Sequence, residues 1–194
     1  NILALGIAGC LPLLSACGSS QYARAVEYRE TGRYEEGIAF FRDRLRDESD
    51  ALSMFDTHRV ILQYHEALDR LDDGFALYAR FRDPALTNYI AGLRYQYDGM
   101  HVYATNAFRR ALKTRPDEYA IWYDMAVSLT RMGKYKEARR ILGRVCMLEG
   151  SFAPAMYDMG VLYGYGRNEP HVGMSWLLEA IDSYLPVEKN AILD

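Results

Sequence analysis

The chain has 194 residues, 50% of them hydrophobic, which is about one domain and enough to bury a core without metal or disulfide support. A formal net charge of -3, with Lys and Arg spread along the whole sequence, offers no basic stripe and excludes nucleic acid from the expected partners. Tyrosine is the outlier at 16 residues; its rigid ring and hydroxyl suit interfaces, while only 6 prolines leave room for long helices.

The first element is an apolar run, Ile2 to Leu14. It has the length of a secretory leader's core and is too short, and too interrupted by Pro12, to span a bilayer as a helix. LSAC, Leu14 to Cys17, closes it, and Gly18, Ser19 and Ser20 follow. This arrangement resembles the lipobox of bacterial lipoproteins: Leu, two small residues and the cysteine that receives the lipid. No Lys or Arg precedes the run and the sequence opens at Asn1 without a Met, the pattern of a leader clipped at its start. The other reading, a buried N-terminal helix that happens to contain Leu-Ser-Ala-Cys, fits the flexible Gly-Ser-Ser stretch less well. Residues 1–16 are therefore expected to be a signal peptide, Cys17 the acylated (palmitate-bearing) residue and 17–20 a tether. Cys10 would leave with the leader. The mature chain would keep Cys146 alone, a core residue within ILGRVCML that has no disulfide partner.

Beyond the tether, apolar residues recur at helical spacing to about residue 187, in units of roughly 18–51, 52–84, 85–118, 119–152 and 153–187. The first carries Ala25, Tyr28, Gly32, Tyr34, Gly37 and Phe41, and its TGRYEEG mirrors MGKYKEA at 132–138. The second keeps Phe55, Leu62, Leu68, Leu71, Phe75 and Tyr78 but places its small residues poorly, so it is a distorted unit or a bend. The third shows Gly92, Tyr95, Ala104, Phe108, Ala111 and Pro116, and the fourth Trp122, Met125, Ala126, Leu129, Ala138 and Leu142 around a Gly133-Lys134-Tyr135 turn. The fifth has Met159, Gly160 and Tyr163, then Gly173, Leu177 and Ala180 after one inserted residue between Arg167 and Pro170. YDMAVSL at 123–129 returns as YDMGVLY 34 residues later, with a weaker echo, YIAGLRY, at 89–95.

That period and those positions resemble the tetratricopeptide repeat, with Gly164, Gly166 and Trp176 of the last unit leaning toward the related Sel1-like repeat. The resemblance implies an all-α, right-handed superhelical solenoid of about five helix-turn-helix hairpins over 21–187. Small residues would let paired helices approach and aromatic residues would fill the next layer. It also implies that the first helix of each hairpin lines a concave groove. Tyr22, Tyr89, Tyr123 and Tyr157 take equivalent groove positions, Leu93, Val127 and Val161 lie one turn on, and Tyr97, Arg131 and Tyr165 a further turn. These residues are the expected partner-binding surface; the other reading is that the tyrosines only fill gaps between hairpins.

Catalytic signatures are lacking: the sequence has no Gly-rich phosphate loop, no His-Glu-x-x-His and no Cys-x-x-Cys, and GYGR at 164–167 fits the repeat's own turn. His58 and His65, two helical turns apart, are expected to be partly exposed and to clasp no metal. Asp124 and Asp158 recur at the repeat interval as scaffold features, and Asp117 is the expected cap of the helix starting near Glu118. The expectation is a scaffold with no enzymatic activity, metal, cofactor or small-molecule substrate. By resemblance it is a lipid-anchored adaptor of the bacterial envelope, on the periplasmic face of the outer membrane because Gly18 rather than Asp follows the cysteine. Such lipoproteins assist assembly of pilus, secretion or export complexes; the alternative is an adaptor presenting substrates to a periplasmic protease or cell-wall hydrolase.

Overall fold

The computed structural model describes residues 21–45, 54–79, 82–150, 152–166 and 169–184, so the leader, Cys17 and the tether lie outside the described residues. Ten helices are described: α1 (Gln21–Glu30), α2 (Tyr34–Arg44), α3 (Met54–Ala67), α4 (Leu71–Ala76), α5 (Pro84–Tyr97), α6 (His101–Leu112), α7 (Tyr119–Arg131), α8 (Tyr135–Leu148), α9 (Ala153–Gly166) and α10 (Pro170–Tyr184). Each packs chiefly on its chain neighbour, so the pairs form hairpins that stack into a helical repeat solenoid.

One turn motif recurs within the hairpins. After α1 the Arg33 N–H donates to the Tyr28 carbonyl at 2.9 Å, and after α7 the Lys134 N–H donates to Leu129 at 2.9 Å. This is the Schellman closure, which needs a residue in the left-handed region just past the helix. Gly32, Gly99 and Gly133 supply it at φ +67, +73 and +72. The distorted second unit keeps the same closure, Arg70 N–H to the His65 carbonyl at 2.8 Å, but places Asp69 at φ +54. Geometry survives there while its glycine signature is lost. Because a β-carbon strains that conformation, Asp69→Gly is expected to stabilise the array by up to about 1 kcal/mol in denaturant unfolding. An unchanged or lowered midpoint would contradict the reading.

At the hairpin junctions Pro84 opens α5, and the Asp83 carboxylate accepts from the Ala85 and Leu86 N–H groups at 2.7 and 3.0 Å. The expectation for Asp117 is corrected: the residue before α7 is Glu118, with no side-chain cap bond, and Asp117 lies 3.6 Å from Arg144 instead.

Small residues sit where the helices touch. Ala104, Ala126 and Ala138 are fully buried, and a β-carbon on Gly92 would fall 2.4 Å from Phe108 Cε1. A larger apolar cluster runs from α3 to α9 and a smaller one joins α1, α2 and α3. Helix α3 feeds both, giving Phe55 and Leu62 to the first and Val60, Ile61 and Tyr64 to the second. Its partner α4 has only 6 residues, too few to stack as the other second helices do. Instead α3 leans across both α5 and α7, and residues all round it are buried. The second unit is where the array departs from regular stacking.

Candidate partner-binding groove

Helices α5, α7 and α9 present Tyr89, Tyr123 and Tyr157 at the same point of successive hairpins, the arrangement expected to line an open groove. The groove over α5 and α7 is not open; α3 lies in it. Phe55 meets the Tyr89 ring edge-on at 5.1 Å, and the Arg59 guanidinium lies 4.9 Å from the Tyr123 ring centre and 5.6 Å from that of Phe152. Tyr89 and Leu93 are buried to 0% and 1% exposure and Tyr123 to 6%. This corrects the expectation for these three: they are interior side chains, covered by the chain's own helix, and present no surface to a peptide.

The hydroxyls are used inside. Tyr89 donates to Asp124 Oδ2 at 2.6 Å, Tyr123 hydrogen-bonds Asp158, and Tyr97, half-buried, hydrogen-bonds Glu66 of α3. Gln96 Nε2 donates to the Asp124 carbonyl and to Ser128 Oγ, both at 3.0 Å. Of the remaining expected groove residues, Val127, Tyr157 and Val161 are half-buried and Arg131 is exposed, while the side chains of Tyr22 and Tyr165 lie outside the described residues. Tyr157 and Val161 also line a cavity of about 400 Å³ between α9 and α10, with Gly160, Pro170, Met174 and Leu177 on its walls.

Arg59 is the centre of this interior and was not singled out from the sequence. It pairs with Asp56 on its own helix and approaches Asp124 Oδ1 at 3.7 Å. Burial works against its charge, and Asp56 and Asp124 hold that charge on. Burial pushes Asp124 and Asp158 up to about 6, with Arg59 and a tyrosine hydroxyl opposing it in each case. Asp56 is raised by burial too, against Arg59 and a hydrogen bond from Tyr119. The repeated Tyr-Asp at 123–124 and 157–158 was the available signal: acids recurring on a packed face require a cation from another element.

The histidines are also corrected. His58 and His65 are buried to 0% and 7%, not partly exposed, because α3 is enclosed on all sides. The His58 ring sits edge-on to Tyr78 at 4.7 Å, and burial lowers its pKa to about 4. Among the described residues no group of three or more His, Cys, Asp or Glu could hold a metal ion. Cys146 is half-buried against the core, and burial raises its thiol to about 11, which makes it a poor nucleophile at neutral pH.

These shifts fix a pH response. Asp124 and Asp158 titrate near 6 in the folded chain against an ordinary 3.8, so the folded state binds more protons and gains stability as pH falls through that window. His58 titrates near 4 against 6.5, so its contribution is complete above 6.5 and is lost as pH falls toward 4. The two effects oppose each other. His58→Phe removes this opposing contribution, so its stability relative to wild type should rise as pH is lowered from 6.5 to about 4 in denaturant titrations. A constant difference between the two proteins would contradict the assignment.

Comparison with known proteins agrees with this architecture. A family model described as tetratricopeptide repeat matches residues 98–147, from the α5–α6 turn to the end of α8. No curated protein matches the sequence. Among solved structures, a crystal structure of MamA covers 82% of this chain and 93% of its own at 15% identity and a TM-score of 0.53. A second crystal structure of MamA protein covers 82% of this chain and 87% of its own at 15% identity and a TM-score of 0.52. YrrB, described as a TPR protein with an unusual peptide-binding site, covers 82% of each chain at 21% identity and a TM-score of 0.50. At these identities the likeness is one of fold. In fold, and in the sequence of residues 98–147, the chain carries the tetratricopeptide repeat.

Proposed function

We propose that this protein is a lipid-anchored adaptor that holds partner proteins at a bacterial membrane facing the periplasm, assisting assembly of a pilus, secretion or export complex. The tetratricopeptide fold is an interaction scaffold, because stacked hairpins present long surfaces built from repeated helix faces. A structural neighbour described as having a peptide-binding site supports this use of the fold. No described helix is long and apolar enough to cross a membrane.

The observation that carries the anchor is the placement of LSAC, after an apolar run and immediately before the array. Only Gly18, Ser19 and Ser20 separate Cys17 from α1 at Gln21. Four residue steps reach about 14 Å at full extension, so an acyl chain on Cys17 would hold the first hairpin against the lipid. A single acyl chain gives only marginal membrane binding, so stable anchoring would need a second acyl group on the same residue or a further membrane contact.

Cys17→Ala tests this. The variant should incorporate no labelled palmitate and should leave the membrane pellet or retain its leader, while its helical content stays that of wild type. Equal labelling of the variant would overturn the anchor.

A further inference from the structure

With the groove over α5 and α7 closed by α3, the surface left to this scaffold includes the outer helices of the hairpins. Exposed positions carry Arg109 and Arg110 on α6, Lys113 just past its end, and Lys136 and Arg140 on α8. Arg109 of α6 and Glu137 of α8 approach to 3.6 Å, which links the two helices at one point. Glu137 is the one carboxylate on either helix. The two helices together hold 6 Arg and Lys against that one carboxylate, a local bias that the chain's net charge of -3 conceals. Apolar side chains flank the strip: Val102 and Tyr103, each 60% exposed, at the start of α6, and Met147, 81% exposed, at the end of α8.

We propose that this strip of α6 and α8 is a docking surface for an acidic, amphipathic segment of a partner protein. Its carboxylates would meet the cations, and its apolar residues would rest on Tyr103 and Met147. Complementary charge steers such an encounter and discrete apolar anchors hold it. A membrane surface fits less well. An interfacial helix turns a continuous apolar face to lipid, whereas the apolar faces of α6 and α8 are spent on the core through Ala104, Phe108, Ala111, Ala138, Leu142 and Val145.

The inference rests on the scaffold reading and not on its anchor: loss of acylation at Cys17 would remove the anchor and leave this binding untouched. The test uses the full chain and a fluorescein-labelled, Glu- and Leu-rich amphipathic peptide, with its Gln-for-Glu counterpart as reference, in fluorescence anisotropy. Wild type should bind the Glu peptide and not the Gln peptide, with affinity falling steeply as salt is added. Lys113→Glu, Lys136→Glu and Arg140→Glu together should weaken binding roughly tenfold or more. Arg42→Glu on α2 should leave it unchanged. If the triple reversal fails to fold, Lys136→Gln with Arg140→Gln should still weaken it by about threefold. Equal binding of the two peptides, or wild-type binding by a folded triple reversal, would overturn the proposal. So would a strip that binds phosphatidylglycerol vesicles and ignores the peptide.

Discussion

Arg59→Ala should be among the most damaging single substitutions in this chain. It leaves Asp56 and Asp124 buried without their cation and empties the space between Tyr123 and Phe152. Removing one partner of a buried ion pair costs about 3–5 kcal/mol, far more than the net worth of the pair, because the remaining charge stays out of water. For an array of this size that lowers Tm by roughly 6–20 °C. The loss should depend on pH in a stated direction. Asp124 already sits near 6 with Arg59 opposing the shift, so without Arg59 it moves higher and is neutral at pH 5. The deficit relative to wild type should therefore be larger at pH 8 than at pH 5, as read by thermal melts at both. A deficit under about 1 kcal/mol at pH 8 would place Arg59 at the surface.

Gly92→Leu carries the other large expected effect. A β-carbon alone would lie 2.4 Å from Phe108 Cε1, and Phe108 is fully buried with the Tyr89 ring 5.8 Å away. Tyr89 is itself fixed by its bond to Asp124, so the added side chain cannot be absorbed locally and must part α5 from α6. Overpacking of this kind costs about 1–3 kcal/mol. Lys136→Leu, at an exposed position of α8, is the control and should stay within about 0.5 kcal/mol of wild type in the same denaturant titration. An unaltered midpoint for Gly92→Leu would mean that the repeat register is wrong.

How much of this was legible in the sequence differs by kind of interaction. The hairpins were legible because their signals are local: Gly32 and Gly133 mark left-handed turn residues, and Gly92, Ala126 and Ala138 mark close approaches at the repeat interval. Asp69 escaped notice because the turn kept its hydrogen bonds while changing the residue that usually announces it. The ladder of Tyr89, Tyr123 and Tyr157 was placed correctly on first helices, yet spacing fixes only the direction in which a side chain points along its helix. What covers it is a tertiary matter. The cover is α3, whose pattern read as a degenerate repeat because Phe55 meets Tyr89 of α5 while Arg59 reaches past it to Tyr123 and Asp124 of α7 and to Phe152 just before α9. The same enclosure buried His58 and His65, which helical spacing alone left at the surface.

For an interaction scaffold, an occupied groove changes where partners are sought. Val127 and Arg131 in the second half of α7 and Tyr157 and Val161 on α9 keep some exposure, so that part of the groove remains accessible while the part around Tyr89, Leu93 and Tyr123 is interior. A triple Tyr89, Tyr123 and Tyr157 substitution would therefore report on folding before it reported on capture. The outer strip of α6 and α8 and the α9 end of the groove are the surfaces to vary first.

The central claim, that the chain's own third helix fills the concave face, is tested most directly by tyrosine labelling of the native protein with tetranitromethane, mapped by mass spectrometry. Tyr103, 60% exposed, and Tyr135, 39% exposed, should be nitrated readily, while Tyr89 at 0% and Tyr123 at 6% should be protected until the array unfolds. Arg59→Ala should speed nitration of Tyr123 first, since the guanidinium lies over that ring. Nitration of Tyr89 and Tyr123 in the native wild type as fast as Tyr103 would show an open groove and contradict the account.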